Sequence, residues 1–358
     1  MNKIFWKADS SLIPILKICL APDSNVEPLL REWEKANSVD VIDGGLIRYI
    51  PFLYRRFLDL KIEPRDNYIL RGAYFKSWWA QTVFQRENLE FLFALDYRFP
   101  EFALLKGTAL QHSVYASDPR TRPCDDVDVL VDPCLRHSAA AYLIAEGFRL
   151  DSVYTLDYVM NFRKSAPFVK NGISIDLNWG LYEYSRNFDS FSELDFQRIK
   201  AGPNEVKILS DTDNLIHSII HGSGWNPVPT TRWILDAALL IKRGSIDWDK
   251  FANKVIKNGW QYPLLDQLNY LVELGISIPD STRMRILTSK PDPWGKAMYF
   301  YQRQPRLIAR RILRFLYADY LMFITANQLK NSPARYLLLQ RKVLKNFILQ
   351  YIHAKKLK

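Results

Sequence analysis

Apolar and polar positions change period twice along the chain. Over the first hundred residues the spacing is helical: Phe75, Trp78, Trp79, Val83 and Phe84 recur at three- and four-residue intervals. No proline interrupts the stretch from Asp66 to Tyr97, and Pro100 is expected to end that helix ahead of a first strand. From about Glu101 to Gly180 the pattern becomes that of an α/β core. A strand through Leu104-Leu105 leads into a glycine turn and a helix over Thr108 to Val114, and a second strand follows at Val127 to Val131. A helix is expected after Pro133. Asn171-Gly172, flanked by apolar residues, is the strongest short-range signal for a tight hairpin. Beyond Ser210, with Ser210 and Asp211 as cap candidates, the spacing is helical again. Neither internal repeats nor a low-complexity linker separate these stretches. Four regions follow: an N-terminal helical region (1–100), an α/β core (101–205), a helical region (206–300) and a basic amphipathic helical tail (301–358).

The alternation within the core brings out the chemistry. In a strand, side chains at i and i+2 share a face. Asp126 and Asp128 therefore project together, roughly 6.5–7 Å apart at Cα, while Val127, Val129 and Val131 face a core. Asp125 points away from Asp126, which suits a turn or surface role. In the strand after the Asn-Gly turn, Ile173, Ile175, Leu177 and Trp179 form one face and Ser174, Asp176 and Asn178 the other. A neighbouring strand could set Asp176 beside Asp126 and Asp128. Aligned carboxylates repel, and a fold that keeps them together usually supplies a cation; hard divalent ions prefer oxygen ligands. Three carboxylates on one face can hold two metal ions about 3.5–4 Å apart, which points to magnesium and phosphate chemistry. Lys106 is read either as a point charge for a triphosphate or as a solvated strand end. Arg122 is read either as a phosphate partner or as the cation that offsets Asp125 and Asp126. Lys106-Gly107 does not make a Walker P-loop, which needs a Gly-Lys-Ser/Thr unit at fixed spacing.

The order Gly107-Thr108 on a turn after a strand, Asp-x-Asp on the next strand and a lone Asp on a later one resembles the DNA polymerase β-type nucleotidyltransferase superfamily. More narrowly, Leu-Leu-Lys-Gly-Thr-Ala-Leu, Arg122-Pro123 before Asp-Val-Asp-Val-Leu-Val, Ile-Asp-Leu-Asn-Trp, and Trp233-Ile234-Leu235-Asp236 are similar to a bacterial group labelled "nucleotidyltransferase family protein". Many members of that group are met among polysaccharide or specialised-metabolite genes. The resemblance covers about residues 65–255. Thr108 stands where serine or glycine is common, keeping a hydroxyl, and Asn178 stands where histidine is common. The resemblance implies an α+β fold: a polymerase β-type nucleotidyltransferase core, a mixed sheet with helices, flanked by N- and C-terminal helical regions. It also implies a transferase that moves a nucleoside monophosphate from an NTP donor to a hydroxyl or phosphate acceptor, with two magnesium ions (manganese in their place). Asp126, Asp128 and Asp176 would be both catalytic and metal-holding, and Lys106, Gly107, Thr108 and Arg122 would bind the nucleotide. The acceptor is expected to be a small molecule or sugar-type metabolite. Two other readings stay open: a module that nucleotidylates a protein or neutralises a toxin, and an RNA-modifying nucleotidyltransferase.

His217 and His221 stand four apart on the helix after Ser210, a zinc-like spacing, but no Glu follows His217. They are read as structural or substrate-lining, and Trp225, Trp233 and Asp236 fall in the same substrate-lining region.

Composition changes this picture in two ways. The net charge of +11 resembles a nucleic-acid signal until it is located. Residues 301–358 hold 13 Lys and Arg against one acid, leaving 36 basic and 37 acidic residues elsewhere. The core is thus close to neutral. In the tail, Leu307, Ile308, Ile312, Leu313, Phe315 and Leu316 interleave with Arg306, Arg310, Arg311 and Arg314. Such a segment can pack on the core, contact an anionic membrane surface or bind nucleic acid, in that order of preference. Three cysteines form neither a disulfide framework nor a metal cluster, and no apolar run reaches ~18–20 residues. A cytoplasmic protein is expected, with membrane association open through the tail.

Overall fold

The computed structural model describes residues 7–38, 46–98, 102–152, 154–181, 191–201, 204–223 and 231–290, with 292, 293 and 296; Pro100, Trp225 and the basic stretch 301–358 lie outside them. Four helices come first: α1 (Leu12–Leu20), α2 (Asp23–Ala36), α3 (Ile50–Leu60) and α4 (Asn67–Arg98). The last runs 32 residues, as the unbroken helical spacing predicts.

A seven-stranded mixed sheet follows. Its strands are β1 (Ala103–Leu104), β2 (Val127–Leu130), β3 (Arg149–Leu150), β4 (Ser165–Lys170), β5 (Ile173–Asn178), β6 (Phe196–Ala201) and β7 (Asn204–Leu209). They lie in the order β3-β4-β5-β2-β1-β7-β6. The β4–β5 pair is the Asn-Gly hairpin: Asn171 (φ 49°) and Gly172 (φ 86°) are both left-handed, as a type I′ turn requires. Next to it, β5 runs parallel to β2, and β1 joins β2 antiparallel and β7 parallel. The β6–β7 hairpin was not anticipated from the sequence, and the boundary expected at 205 falls inside β7.

Between strands lie α5 (Lys106–Gln111), α6 (Arg136–Ala145) and α7 (Leu156–Phe162). The helix expected over Thr108 to Val114 thus begins two residues earlier and ends at Gln111. The chain turns there: the Ser113 and Tyr115 amides both donate to the Leu110 carbonyl. Five helices close the described chain: α8 (Asp211–Ser223), α9 (Arg232–Lys242), α10 (Trp248–Lys257), α11 (Gln261–Glu273) and α12 (Asp280–Thr288). Ser210 caps α8, its hydroxyl accepting the Asp213 amide at 3.2 Å.

Two cores divide the molecule. One lies on a single face of the sheet, where Val127, Val129, Val131, Ile175 and Leu177 meet Leu92 and Leu95 of α4 and Ala139 and Leu143 of α6. The other is wholly helical and joins α1–α3 to α8–α12 through residues such as Leu16, Val26, Phe57, Ile219, Leu240 and Phe251. The N-terminal helices and those after Ser210, far apart in sequence, therefore share one interior. Among the described residues the second sheet face keeps a small apolar cluster, Leu105, Leu130, Leu209 and Phe191. The polar residues of β2 and β5 open on that face. Among the described residues no helix is long and apolar enough to cross a membrane.

Candidate active site

Parallel pairing of β2 with β5 sets Asp128 directly opposite Asp176. The hydrophobic alternation dictates this register, because a one-residue slip would turn Val127, Val129, Ile175 and Leu177 out of the core. Asp128 is buried at 4% exposure, while Asp126, just ahead of the strand, is exposed. The charge between the facing carboxylates is answered by Lys106, whose Nζ lies 2.5 Å from Asp128 Oδ1 and 3.8 Å from Asp176 Oδ2. Burial pushes the Asp128 carboxyl above the usual carboxylate range, with Asp176 adding to the rise and Lys106 opposing it. Although part of its surface meets solvent, Asp126 is crowded enough by protein that desolvation, with the Asp128 charge, raises it as well. Burial works against the Lys106 charge, but the fields of Asp128 and Asp176 outweigh it and raise the ammonium pKa.

The turn that carries Lys106 is tightly constrained. Lys106 itself is left-handed (φ 48°), a conformation that disfavours side-chain-bearing residues and tends to persist where the surroundings fix it. In the glycine turn read from the sequence, the left-handed residue is thus Lys106 and not Gly107. Glycine is needed there for space: a Cβ would stand 2.3 Å from Cys124 Sγ and 3.2 Å from Arg122 Nη1. Thr108 is buried, and its hydroxyl is turned to the Asp126 carbonyl at 3.4 Å.

Arg122 pairs with neither Asp125 nor Asp126. Its guanidinium forms a fork on Asp236 of α9, Nε to Oδ1 and Nη2 to Oδ2, both at 2.8 Å. Burial opposes the Arg122 charge, and Asp236 more than restores it. Tyr115 donates its hydroxyl to the same Asp236 Oδ1 at 2.8 Å. Asp236, expected to line a substrate pocket, does border the cavity described below, but its carboxylate is taken by these two donors. Two buried glutamines hold the loop from below. Gln81 of α4 exchanges two hydrogen bonds with the Cys124 backbone (2.8 and 2.9 Å), and Gln111 donates to the Arg122 carbonyl at 2.7 Å. The Cys124 thiol, pushed up to about 12 by burial, stays protonated and is no nucleophile.

These elements enclose a cavity of about 280 Å³. Lys106, Gly107, Arg122, Asp126 and Asp128 form one side. His217 and His221 of α8, their ring centroids 5.9 Å apart, form part of another. Burial, then His221 and Lys106, drive His217 well below the ordinary imidazole value, so it is neutral near pH 7. Thr108 and Asp176 do not border the cavity; Asp176 stands behind the Lys106 ammonium. Arg48, from the turn Leu46–Arg48, and Arg232, the first residue of α9, complete the wall. Nothing in the local sequence marks either as functional, because each reaches the site only through tertiary packing. Trp233 also borders the cavity, while Trp225 lies outside the described residues.

The donor set of Asp126, Asp128 and Asp176 is all carboxylate oxygen, the chemistry a hard divalent ion takes. A cation already belongs between two of them, and the Lys106 ammonium fills that place. Among the described residues no three acidic, histidine or cysteine side chains are drawn together around a single metal-sized point.

The sheet face thus sets paired carboxylates and a lysine beside a polar, arginine-walled cavity, and the class to which the chain compares is nucleotidyltransferase. A family model described as an uncharacterised nucleotidyltransferase matches residues 51–274. The chain belongs to this family. The matched span contains both glutamines, the Lys106 turn, all three carboxylates and the α8–α9 wall, and it excludes α1, α2 and Arg48. No curated protein matches the chain.

Proposed function

We propose that this protein is a magnesium-dependent nucleotidyltransferase with a polymerase β-type core. It would transfer the nucleoside monophosphate of an NTP to a hydroxyl or phosphate on a small-molecule or sugar-type acceptor. The observation that carries this reading is the in-register pair Asp128 and Asp176, bridged by Lys106 at the edge of a polar cavity. Membership of a nucleotidyltransferase family supports it. Asp126, Asp128 and Asp176 would hold two magnesium ions, which when bound supply charge neutralisation of the triphosphate and acidify the acceptor oxygen.

The protein's own groups do the rest. Lys106 neutralises buried Asp128 and half-buried Asp176 while no metal is there and, moved aside by the ions, would offer a compact charge to the phosphates. Gly107 lets the Lys106 turn pack directly on Cys124, which fixes that turn against the loop carrying the aspartates. Arg122 is spent on Asp236, so its part is to fix the loop carrying the aspartates rather than to receive substrate. His217, neutral and buried, is a hydrogen-bonding group on the acceptor side rather than a cation.

The test is calorimetric titration of ATP, GTP, CTP and UTP, with and without magnesium, into the wild type and an Asp126→Asn/Asp128→Asn variant. Magnesium-dependent binding of a nucleotide that disappears in the variant is the expected result. Nucleotide binding that is equally tight in the variant, or no binding of any of the four, would overturn the reading.

A further inference from the structure

The cavity has four cationic side chains on its wall, and among the described residues only two have a carboxylate partner. Lys106 is neutralised by Asp128 and Asp176, and Arg122 by Asp236. Arg48 and Arg232 form no ion pair among the described residues; the Arg232 Nη1 donates to the Pro123 carbonyl, and its Nε is buried with no acceptor. Burial and the nearby Arg122 depress the Arg232 guanidinium to about 10, which leaves it charged at neutral pH. A buried donor without an acceptor is costly, and cationic neighbours on one wall add repulsion. An anion in the cavity that both arginines line relieves that repulsion.

We infer that Arg48 and Arg232 form a phosphoryl-anion subsite on the cavity wall formed with α9, distinct from the Lys106–carboxylate cluster. Two guanidiniums with no carboxylate partner among the described residues match the double charge of a terminal phosphate, and the planar guanidinium fork suits its oxygens. Asp125 and Asp126 on the same cavity repel an anion and confine it to the arginine wall. The phosphate has two possible sources: the triphosphate tail of the donor, or a phosphomonoester carried by the acceptor. Its use in transfer rests on the function proposed above, whereas the subsite itself rests on the arginines alone.

Inorganic phosphate is the probe, titrated calorimetrically into the full-length protein without metal at low salt. Arg48→Gln, Arg232→Gln and the double variant are compared with Arg232→Lys, which keeps the charge if glutamine disturbs folding. The expected result is one saturable site in the wild type, at least about tenfold weaker in each glutamine variant. Phosphate should also raise Tm in the wild type and not in the double variant. No saturable site, or equal affinity and equal Tm shifts in wild type and double variant, overturns the inference. Titrating phosphate together with magnesium–ATP distinguishes its sources: simultaneous binding assigns the subsite to the acceptor, mutual exclusion to the donor tail. The Asp126→Asn/Asp128→Asn variant separates the two proposals. Phosphate binding that persists there while no nucleotide binds the wild type leaves the subsite standing and the transferase reading fallen. Nucleotide binding beside phosphate binding indifferent to the arginines does the reverse.

Discussion

Asp236 holds two donors at once, and Arg122 has no other counter-charge in reach among the described residues. Asp236→Ala therefore leaves a buried guanidinium unpaired, at a cost of about 3–5 kcal/mol, measurable as a large fall in Tm. Tyr115→Phe removes only one donor to that carboxylate and leaves the ion pair, and is expected to cost about 1.5–3 kcal/mol. Similar losses from both variants would show that Arg122 does not depend on the pair. His217 gives a pH prediction. Its folded pKa lies well below the unfolded value near 6.5, so the unfolded chain binds a proton first as pH falls. The contribution of neutral His217 is fully present above about 6.5 and is lost progressively below it. Denaturant titrations from pH 8 to 5 should show stability declining in that window, and His217→Gln should flatten the decline. At this scale the aspartates were readable because strand alternation is a local rule that needs only a few residues. The partner of Arg122 was not, since Asp125 and Asp126 are its neighbours in sequence while Asp236 reaches it only through folding. Arg48 and Arg232 were invisible for the same reason.

Elements meet at two glycines that admit no side chain. Gly222, in the last turn of α8, lies against Trp233 of α9, and a Cβ there would stand 2.2 Å from the indole ring. Gly222→Ala must push the buried Trp233 or separate α8 from α9, at about 1–3 kcal/mol. Because Trp233 borders the cavity, the change should also shift the tryptophan emission. An unmoved Tm and emission would mean that the helices are not in contact there. Gly107→Ala meets Cys124 at the start of α5 and should lower Tm by a comparable amount. The long α4, the Asn-Gly hairpin and the start of α8 were legible, because length, turn chemistry and capping are carried by contiguous residues. The β6–β7 hairpin was missed: its strands, Phe196–Ala201 and Asn204–Leu209, interleave charged and apolar residues without an Asn-Gly or Asp-Gly signal. The left-handed backbone at Lys106 was missed because glycine beside it is the usual bearer of that conformation.

The molecule as a whole is built on a core that ignores chain order. Leu16, Val26 and Phe57 from the first helices pack with Ile219, Leu240 and Phe251 from the later ones. Tyr49 ties the two ends further, donating to Thr231 at 3.0 Å. Removing residues 1–60 should leave α8–α12 with an open apolar face. The shortened chain is expected to aggregate or lose its cooperative melt; a soluble monomer with the parent Tm would show that the later helices stand alone. The same chain order governs how the site is made. A ribosome that has delivered Arg122 must add 114 more residues before the chain contains the carboxylate that neutralises it. Tyr115 waits still longer, 121 residues, for the oxygen to which it donates. Through that interval the Asp-bearing loop has lysine and glutamines to rest on but no lock. The closing part is thus synthesised well after the loop it locks, and a product cut short before Asp236 carries a slack loop.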